Sequence, residues 1–396
     1  MRVAQPRSLL FGVGLSLALL CSMASLARAE AEPEVPGSGG LDLADLKAFT
    51  EAWARIKEQY VEPVDDRRLL EAALRGMVAE LDPHSAWLDR ARFEEVQAQA
   101  TGHYGGLGMR VSPQEAHLRI ESLTPGSAAE LGGLRAGDRI VAVDGRPVAG
   151  LDTDRLSQLL RGEPGSRVRL EIERGPRAER LAMELTRQII RRDSVHRVDL
   201  NDGLMLIGID SFQQSTPAEL DRALAWLDGD PSLRGLILDL RGNPGGMLQS
   251  AIAVADRFLD EGLIVRAEGR GPENQEEYVA EAGQFRSDLP MAVLIDGETA
   301  SAAEIVAAAL RDHGRATLIG QTSYGKASVQ SIWPLPNGSG IRLTTARYRT
   351  PSGQVLEGSG LAPDLPVPVA VDDPLDRELE RAIAWLNMQL EANATP

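Results

Sequence analysis

The chain has 396 residues, enough for two or three domains, with 43% hydrophobic and 25% charged residues. Its formal net charge is −16, and no cluster of Lys and Arg interleaved with aromatics offsets it, which argues against a nucleic-acid partner. The single cysteine, Cys21, lies in an apolar leader, so the body has no thiol for a disulfide, for catalysis or for a metal; the five histidines lack paired ligand spacing, and no cofactor is implied.

Arg2 and Arg7 precede an apolar run from Leu9 to Leu20, and Ala27-Arg-Ala29 offers small residues at a cleavage site. Residues 1–29 therefore read as a secretory signal, which predicts a periplasmic or otherwise exported chain starting near Glu30. The alternative is an uncleaved anchor, although the run falls short of the roughly 20 residues a span needs. Residues 30–40 are rich in Pro and Gly and read as a flexible linker. Residues 41–100 form a helical region. In it Leu46, Phe49, Trp53, Ile56 and Tyr60 follow helical spacing, and a second helix is expected over 69–81. The simplest reading of this aromatic stripe is a helix face packed on its own domain; pairing of subunits is the alternative.

Residues 101–187 read as a small module. Gly105-Gly-Leu-Gly108 opens a strand, Leu118 to Leu123 alternates as a second, and Pro125 to Gly145 supplies a short helix, a turn, a strand and an Asp-Gly hairpin signal. The glycine-rich opening together with Ala136-Gly-Asp-Arg-Ile140 resembles a PDZ domain. The resemblance implies that a peptide adds as a strand to an open sheet edge. Gly105, Gly106, Leu107 and Gly108 would then hold its terminal carboxylate through backbone N–H groups. A tight turn needing glycine for steric reasons alone is the plainer alternative.

Over residues 188–370, apolar runs at Leu204–Ile209, Gly235–Leu240, Met291–Ile295 and Ala316–Ile319 alternate with helical segments at 217–227, 248–259 and 301–311. This alternation predicts a largely parallel sheet covered on both faces. In the tail, residues 371–396, a helix is expected over 374–390, with Leu375, Leu379, Ile383 and Leu386 on one stripe against the body.

Two residues of this region could do chemistry together. Ser301 stands where Thr299-Ala-Ser-Ala-Ala-Glu304 enters a helix, and Lys326 follows Gly325 at the head of a strand. A serine hydroxyl needs a base within about 3 Å, and a lysine serves if burial lowers its pKa. Taken alone, Ser301-x-x-Glu304 is also a capping box. Gly320 to Ala327 is one residue short of a phosphate-cradling loop, but Ala327 occupies the position of the required Ser or Thr, which argues against nucleotide binding. A third segment, Gly235 to Gly246, ends a buried strand in a glycine-bearing turn. There Gly245 or Gly246 could present an N–H to an oxyanion together with Ala302.

Asp239-Leu-Arg-Gly-Asn-Pro-Gly-Gly246, Thr299 to Glu304, Asp312-His-Gly-Arg315, Gly325-Lys-Ala-Ser-Val-Gln330 and Leu343 to Gly353 occur in one order. Together they resemble the C-terminal processing peptidases, tail-specific serine proteases of family S41, as does Leu81-Asp-Pro-His-Ser-Ala-Trp-Leu88. The resemblance implies Ser301 as nucleophile, Lys326 as general base, Gln330 helping to hold the lysine, and Asp312 as an acidic third partner of some members. It departs from the common pattern at Thr299, Ala303 and Gly242, none of which is a catalytic group.

The expected fold is a multidomain α/β protein: an N-terminal helical region, an inserted PDZ domain that is a small β-rich α+β unit, an α/β serine peptidase core with a mainly parallel sheet, and a C-terminal helix. The expected function is a serine endopeptidase that engages unstructured C-terminal tails of protein substrates. A catalytically silent peptide-binding scaffold or adaptor is the alternative. Further expected partners are an adaptor or activating lipoprotein and a second copy of the chain, paired through N- or C-terminal helices.

Overall fold

The computed structural model describes residues 40, 42–368 and 375–394. The expected secretory signal and most of the expected linker lie outside them. Among the described residues no helix is long and apolar enough to cross a membrane.

Two compact units divide at Leu69. In the first, α1 (Leu43–Gln59) is capped by the Asp42 carboxylate, which accepts the Ala44 N–H, and is followed by the start of α2 (Asp66–Ala79). Lys57 pairs with Asp66 at 2.6 Å, and the Phe49 and Trp53 rings stack tilted at 6.1 Å. The helical spacing is as expected, but the packing is not: α1 buries none of its side chains, and Leu43, Leu46, Phe49, Ile56 and Tyr60 are exposed. One helix and the first turn of another offer too little surface to cover an apolar stripe.

The second unit continues through β1 (Ala86–Leu88), α3 (Arg90–Thr101) and β2 (His103–Gly106). The inserted module follows, with β3 (Met109–Pro113), β4 (Leu118–Leu123), α4 (Ala128–Leu131), β5 (Arg139–Val143), β6 (Arg146–Pro147), α5 (Thr153–Leu160), β7 (Arg167–Arg174) and β8 (Glu179–Thr186). Its sheet runs β3-β4-β5-β7-β8, so β3 is an edge strand. Leu118, Ile120, Ile140, Leu170 and Ile172 form its core. Asp144 and Gly145 both take positive φ, +48° and +74°, as the two central residues of a tight hairpin require. Chain entry and exit are zipped together, since β2 pairs antiparallel with β9 (Gln188–Arg191).

The core comprises β10 (Val195–Asp199), β11 (Leu204–Ile209), α6 (Thr216–Asp228), β12 (Gly235–Asp239), α7 (Leu248–Asp256), β13 (Leu263–Gly269), β14 (Gln275–Val279), β15 (Met291–Ile295), α8 (Ala302–Asp312), β16 (Thr317–Gly320), β17 (Ser328–Pro334), β18 (Gly340–Arg349), β19 (Leu365–Pro366) and α9 (Arg377–Ala394). One sheet runs β10-β11-β12-β15-β16-β19 and is parallel from β11 onward. Ile207, Leu236, Leu238, Val293, Ile295 and Leu318 face the cluster that includes α6, α7 and α8. Their neighbours Leu206, Ile237, Ala292, Leu294 and Ile319 pack on Ala382 and Leu386 of α9. Burial of both faces is why these strands read as unbroken apolar runs. The C-terminal stripe thus packs on the body, apart from Leu375, which precedes α9 and is exposed.

A second, antiparallel sheet, β1-β18-β13-β14 with β17 against β18, was not expected from the alternation of strands and helices. Its long β17–β18 hairpin begins two residues after Lys326.

Candidate active site

The parallel strands β12 and β15 lie side by side and end in turns that are stitched together, at the carboxyl edge where open α/β sheets place their sites. After β12, Gly242, Gly245 and Gly246 take φ of +67°, +99° and +143°. Asn243, fully buried, donates from Nδ2 to the Ile209 carbonyl at 2.7 Å and accepts the Gly245 N–H at 2.8 Å. Its own carbonyl accepts the Ala300 N–H at 2.9 Å. After β15, the Asp296 carboxylate accepts the Gly242 and Thr299 N–H groups at 3.0 and 2.9 Å, and the Thr299 hydroxyl donates to the Leu240 carbonyl at 2.9 Å. These bonds press Gly245 against Ser301. A Cβ on Gly245 would lie 2.9 Å from the Ser301 Cβ and 3.0 Å from the Ala302 nitrogen.

Ser301 is the residue before α8 and has φ +56° and ψ −117°, a conformation that a serine adopts only when its surroundings enforce it. The capping-box arrangement is present in outline, with its glutamate half closed: the Ser301 N–H donates to Glu304 Oε2 at 2.7 Å. The Ser301 hydroxyl makes no cap hydrogen bond. Glu304 also does something a capping residue does not. Fully buried, it accepts the Gly325 N–H at 2.8 Å, the Lys326 N–H at 2.9 Å and the Ser323 hydroxyl. The backbone nitrogens of Ser301 and Lys326 therefore converge on the same carboxylate oxygen. Tyr348 spans the same two residues, donating to the Lys326 carbonyl at 2.6 Å, with the Ser301 carbonyl at 3.1 Å and Glu304 Oε2 at 3.4 Å. Burial, and then Glu304, push the Tyr348 phenol well above its ordinary pKa, so it remains a donor.

Lys326 is half-buried, and burial lowers its pKa from the usual lysine value; Arg342 adds to the lowering, while Glu357 and Glu304 oppose it. Among the described residues its ammonium has no salt-bridge or hydrogen-bond partner, and no hydrogen bond joins it to the Ser301 hydroxyl. Gln330, on β17, donates to the Ser328 hydroxyl at 2.8 Å and not to Lys326.

Ser301, Lys326, Ala302, Gly245 and Gly246 are thus brought together, whereas Asp312 is not. It ends α8, roughly 16 Å along the axis from Ser301. There it accepts the Ser352 N–H at 3.0 Å and bonds from the Arg311 side chain. Burial opposes its ionisation, but the bonds from Ser352 and Arg311 outweigh it and hold its carboxyl below the usual range. The rest of the Asp312-His-Gly-Arg315 segment is anchoring as well. The His313 ring meets the Leu263 carbonyl at 2.7 Å, and Arg315 donates to the Leu289, Phe285 and Arg286 carbonyls.

The glycine-rich opening of the module is divided. Gly105 and Gly106 belong to the β2–β9 ladder, opposite Ile189 and Gln188. A Cβ on Gly105 would strike the Gly162 carbonyl oxygen at 1.8 Å, so packing accounts for that glycine. Leu107 and Gly108 lie beyond the ladder at the head of the edge strand β3, and their N–H groups have no partner among the described residues.

Two contributors had no role in the sequence reading. Glu304 carried the signal of a cap, and nothing local revealed its further donors. Tyr348 lay within the Leu343–Gly353 motif without a function. Arg241, in the turn after β12, is the centre of an ion cluster with Asp239, Asp376 and Glu378 that ties α9 to the turn, at 2.7, 2.7 and 2.9 Å.

Comparison with known proteins agrees with this architecture. Residues 203–367 match the model of peptidase family S41, residues 119–174 a PDZ domain, and residues 21–92 the N-terminal domain of the activating protease CtpB. A carboxy-terminal-processing protease of Bartonella bacilliformis is 38% identical over 335 residues, 83% of this chain and 76% of that one. A carboxyl-terminal-processing protease of Synechocystis is 35% identical over 79% of this chain and 74% of its own. Among solved structures, a photosystem II D1 C-terminal processing protease is 29% identical with a TM-score of 0.49, over 84% of this chain and 90% of that one. The chain belongs to the carboxy-terminal processing proteases of peptidase family S41 and is a serine-type peptidase with a PDZ domain.

Proposed function

We propose that the protein hydrolyses peptide bonds with Ser301 as nucleophile and Lys326 as general base, acting on chains whose C-terminal tails are captured by the PDZ module. The observation that carries this reading is the Glu304 carboxylate oxygen on which the backbones of Ser301 and Lys326 converge, at 2.7 and 2.9 Å. The Lys326 side chain, whose charged form burial disfavours, takes the Ser301 proton as the hydroxyl oxygen attacks the scissile carbonyl carbon. This requires the two side chains to close to hydrogen-bond distance once substrate is bound. The oxyanion is placed for the Ala302 and Gly246 N–H groups. Gly245 donates its own N–H to Asn243 at 2.8 Å, which leaves Gly246 as the donor on that turn. Lys326 then returns its proton to the departing amine, and a water deprotonated by the same lysine hydrolyses the acyl-enzyme.

Tail capture rests on the free edge of β3 and on the Leu107 and Gly108 N–H groups at its head. An unfolded substrate with an apolar C-terminus should show a KM about tenfold or more below that of the same chain amidated at its terminus, because the amide loses a charge-assisted bond. Equal KM values would remove the carboxylate from the account.

Pairing of two copies through α1 is proposed on its exposed stripe of Leu43, Leu46, Phe49, Ile56 and Tyr60. The C-terminal helix is already occupied, with Ala382 and Leu386 buried on the sheet. Light scattering on the chain from Glu30 onward should give a dimer or larger, and Phe49→Glu a monomer. A monomer in both would rule the pairing out.

A further inference from the structure

The candidate base lies in a loop whose three successive backbone N–H groups are all donated to carboxylates. Gly325 and Lys326 donate to Glu304 at 2.8 and 2.9 Å, and Ala327 donates to Glu357 Oε2 at 2.9 Å. Glu357 is on a different segment, Gln354–Leu361, and has no part in the chemistry derived so far.

That segment is built against the base loop. Leu356 and Leu361, which flank Glu357, are both fully buried. The Gly358 N–H donates to the Gly325 carbonyl at 2.9 Å, Ser323 N–H to the Leu361 carbonyl at 3.1 Å, and Leu361 N–H to the Ser323 hydroxyl at 2.7 Å. The two backbones are so close that a Cβ on Gly360, whose φ is +69°, would lie 2.1 Å from the Ser323 carbonyl oxygen. Glu357 is therefore fixed in place by its backbone although its side chain is 42% exposed.

We propose that Glu357 is a positioning residue for Lys326, holding the backbone beside the base and counterbalancing its charge. The proposal rests on the Ser301/Lys326 reading above. The charged groups around the base are Arg342, which favours the neutral amine, and Glu357 and Glu304, which favour the ammonium. The charged or polar side chains around Glu357 are Lys326, the His84 ring at 3.9 Å and the Tyr348 phenol. Arg342 in turn donates to the His84 carbonyl at 2.9 Å and is acted on by the charges of Arg92 and Asp82. A general base must be neutral to accept a proton, so activity rises with pH as Lys326 deprotonates. Removing the negative charge of Glu357 lets the lysine lose its proton at lower pH. A residue that only caps a loop would not move that limb.

The test is the pH profile of cleavage of an unfolded protein, measured for the parent, Glu357→Gln, Glu357→Ala and Lys326→Ala. Glu357→Gln keeps an acceptor for the Ala327 N–H and loses the charge. Its acid limb should move to lower pH and raise kcat/KM there by about two- to threefold, a size suited to a partly exposed charge. Glu357→Ala loses the acceptor as well, and its kcat at high pH should fall about tenfold with little change in KM, because the base is misplaced in both free and bound enzyme. A limb that stays where it is in Glu357→Gln, or an unchanged kcat in Glu357→Ala, overturns the proposal. Turnover surviving in Lys326→Ala overturns the dyad itself, so the two failures are told apart.

Discussion

Glu304→Gln should lower kcat/KM by about 10²- to 10³-fold while leaving the protein folded. The glutamate is fully buried and faces donors: the N–H groups of Ser301, Gly325 and Lys326 and the hydroxyl of Ser323. An ionised carboxylate accepts from all of them, whereas a primary amide turns one of its two ends into a donor and leaves at least one buried N–H or O–H unpaired. The cost to stability should be about 2–4 kcal/mol, seen as a lower denaturation midpoint with the same denaturant slope. The larger loss in rate is expected because this one side chain ties the backbone of Ser301, the proposed nucleophile, to that of Lys326, the proposed base. Retention of parental kcat in a Glu304→Gln protein of reduced stability would mean that the bonds only support the fold.

The second large effect is expected at Gly245. Alanine there would place its Cβ 2.8 Å from the Ala300 carbonyl oxygen, 2.9 Å from the Ser301 Cβ and 3.0 Å from the Ala302 nitrogen, at a φ of +99° that an L side chain rarely adopts. All three neighbours belong to the backbone or the first side-chain atom of the Ala300–Ala302 turn, so no flexible side chain can swing aside. Gly245→Ala should cost about 1–3 kcal/mol of stability and at least about 10²-fold in kcat, since Ser301 and the Ala302 N–H, the proposed nucleophile and oxyanion donor, must move apart from the Gly245 turn. Steady-state kinetics beside a thermal melt check this. An active, less stable variant would detach Gly245 from the site geometry.

Much of this site was legible in the sequence because its groups lie in short segments with strong local signatures. Ser301 precedes an alanine-rich helix, Lys326 follows the turn at Gly325, and the glycines after β12 announce an unusual backbone. The central strands were legible for a related reason. Burial on both faces makes Leu204–Ile209 and Met291–Ile295 continuous apolar runs. What was not legible is what depends on partners distant in the chain. The second sheet pairs β13 with β18, whose residues are far apart in sequence and only partly buried, so neither strand carries a clean alternation. That Gly105 and Gly106 pair in a ladder instead of holding a carboxylate was not legible, because the strand opposite them, β9, comes after the whole inserted module. Glu304 looked like a cap because capping uses the same spacing, and its bonds to Ser323, Gly325 and Lys326 exist only once β16 has returned beside β15. Asp312 sits in a segment that resembles the family's, yet helix geometry places it at the far end of α8, where it secures the Ser352 turn. The stripe on α1 obeyed its periodicity and still found no cover, since periodicity states which face is apolar and not what meets it.

The most direct measurement is cleavage of an unfolded protein with a free apolar C-terminal tail by the chain from Glu30 onward, beside Ser301→Ala and Lys326→Ala. Loss of turnover by more than about 10³-fold in each variant, with circular dichroism unchanged, is the predicted result. Turnover surviving in a folded Lys326→Ala variant would contradict the account at its centre.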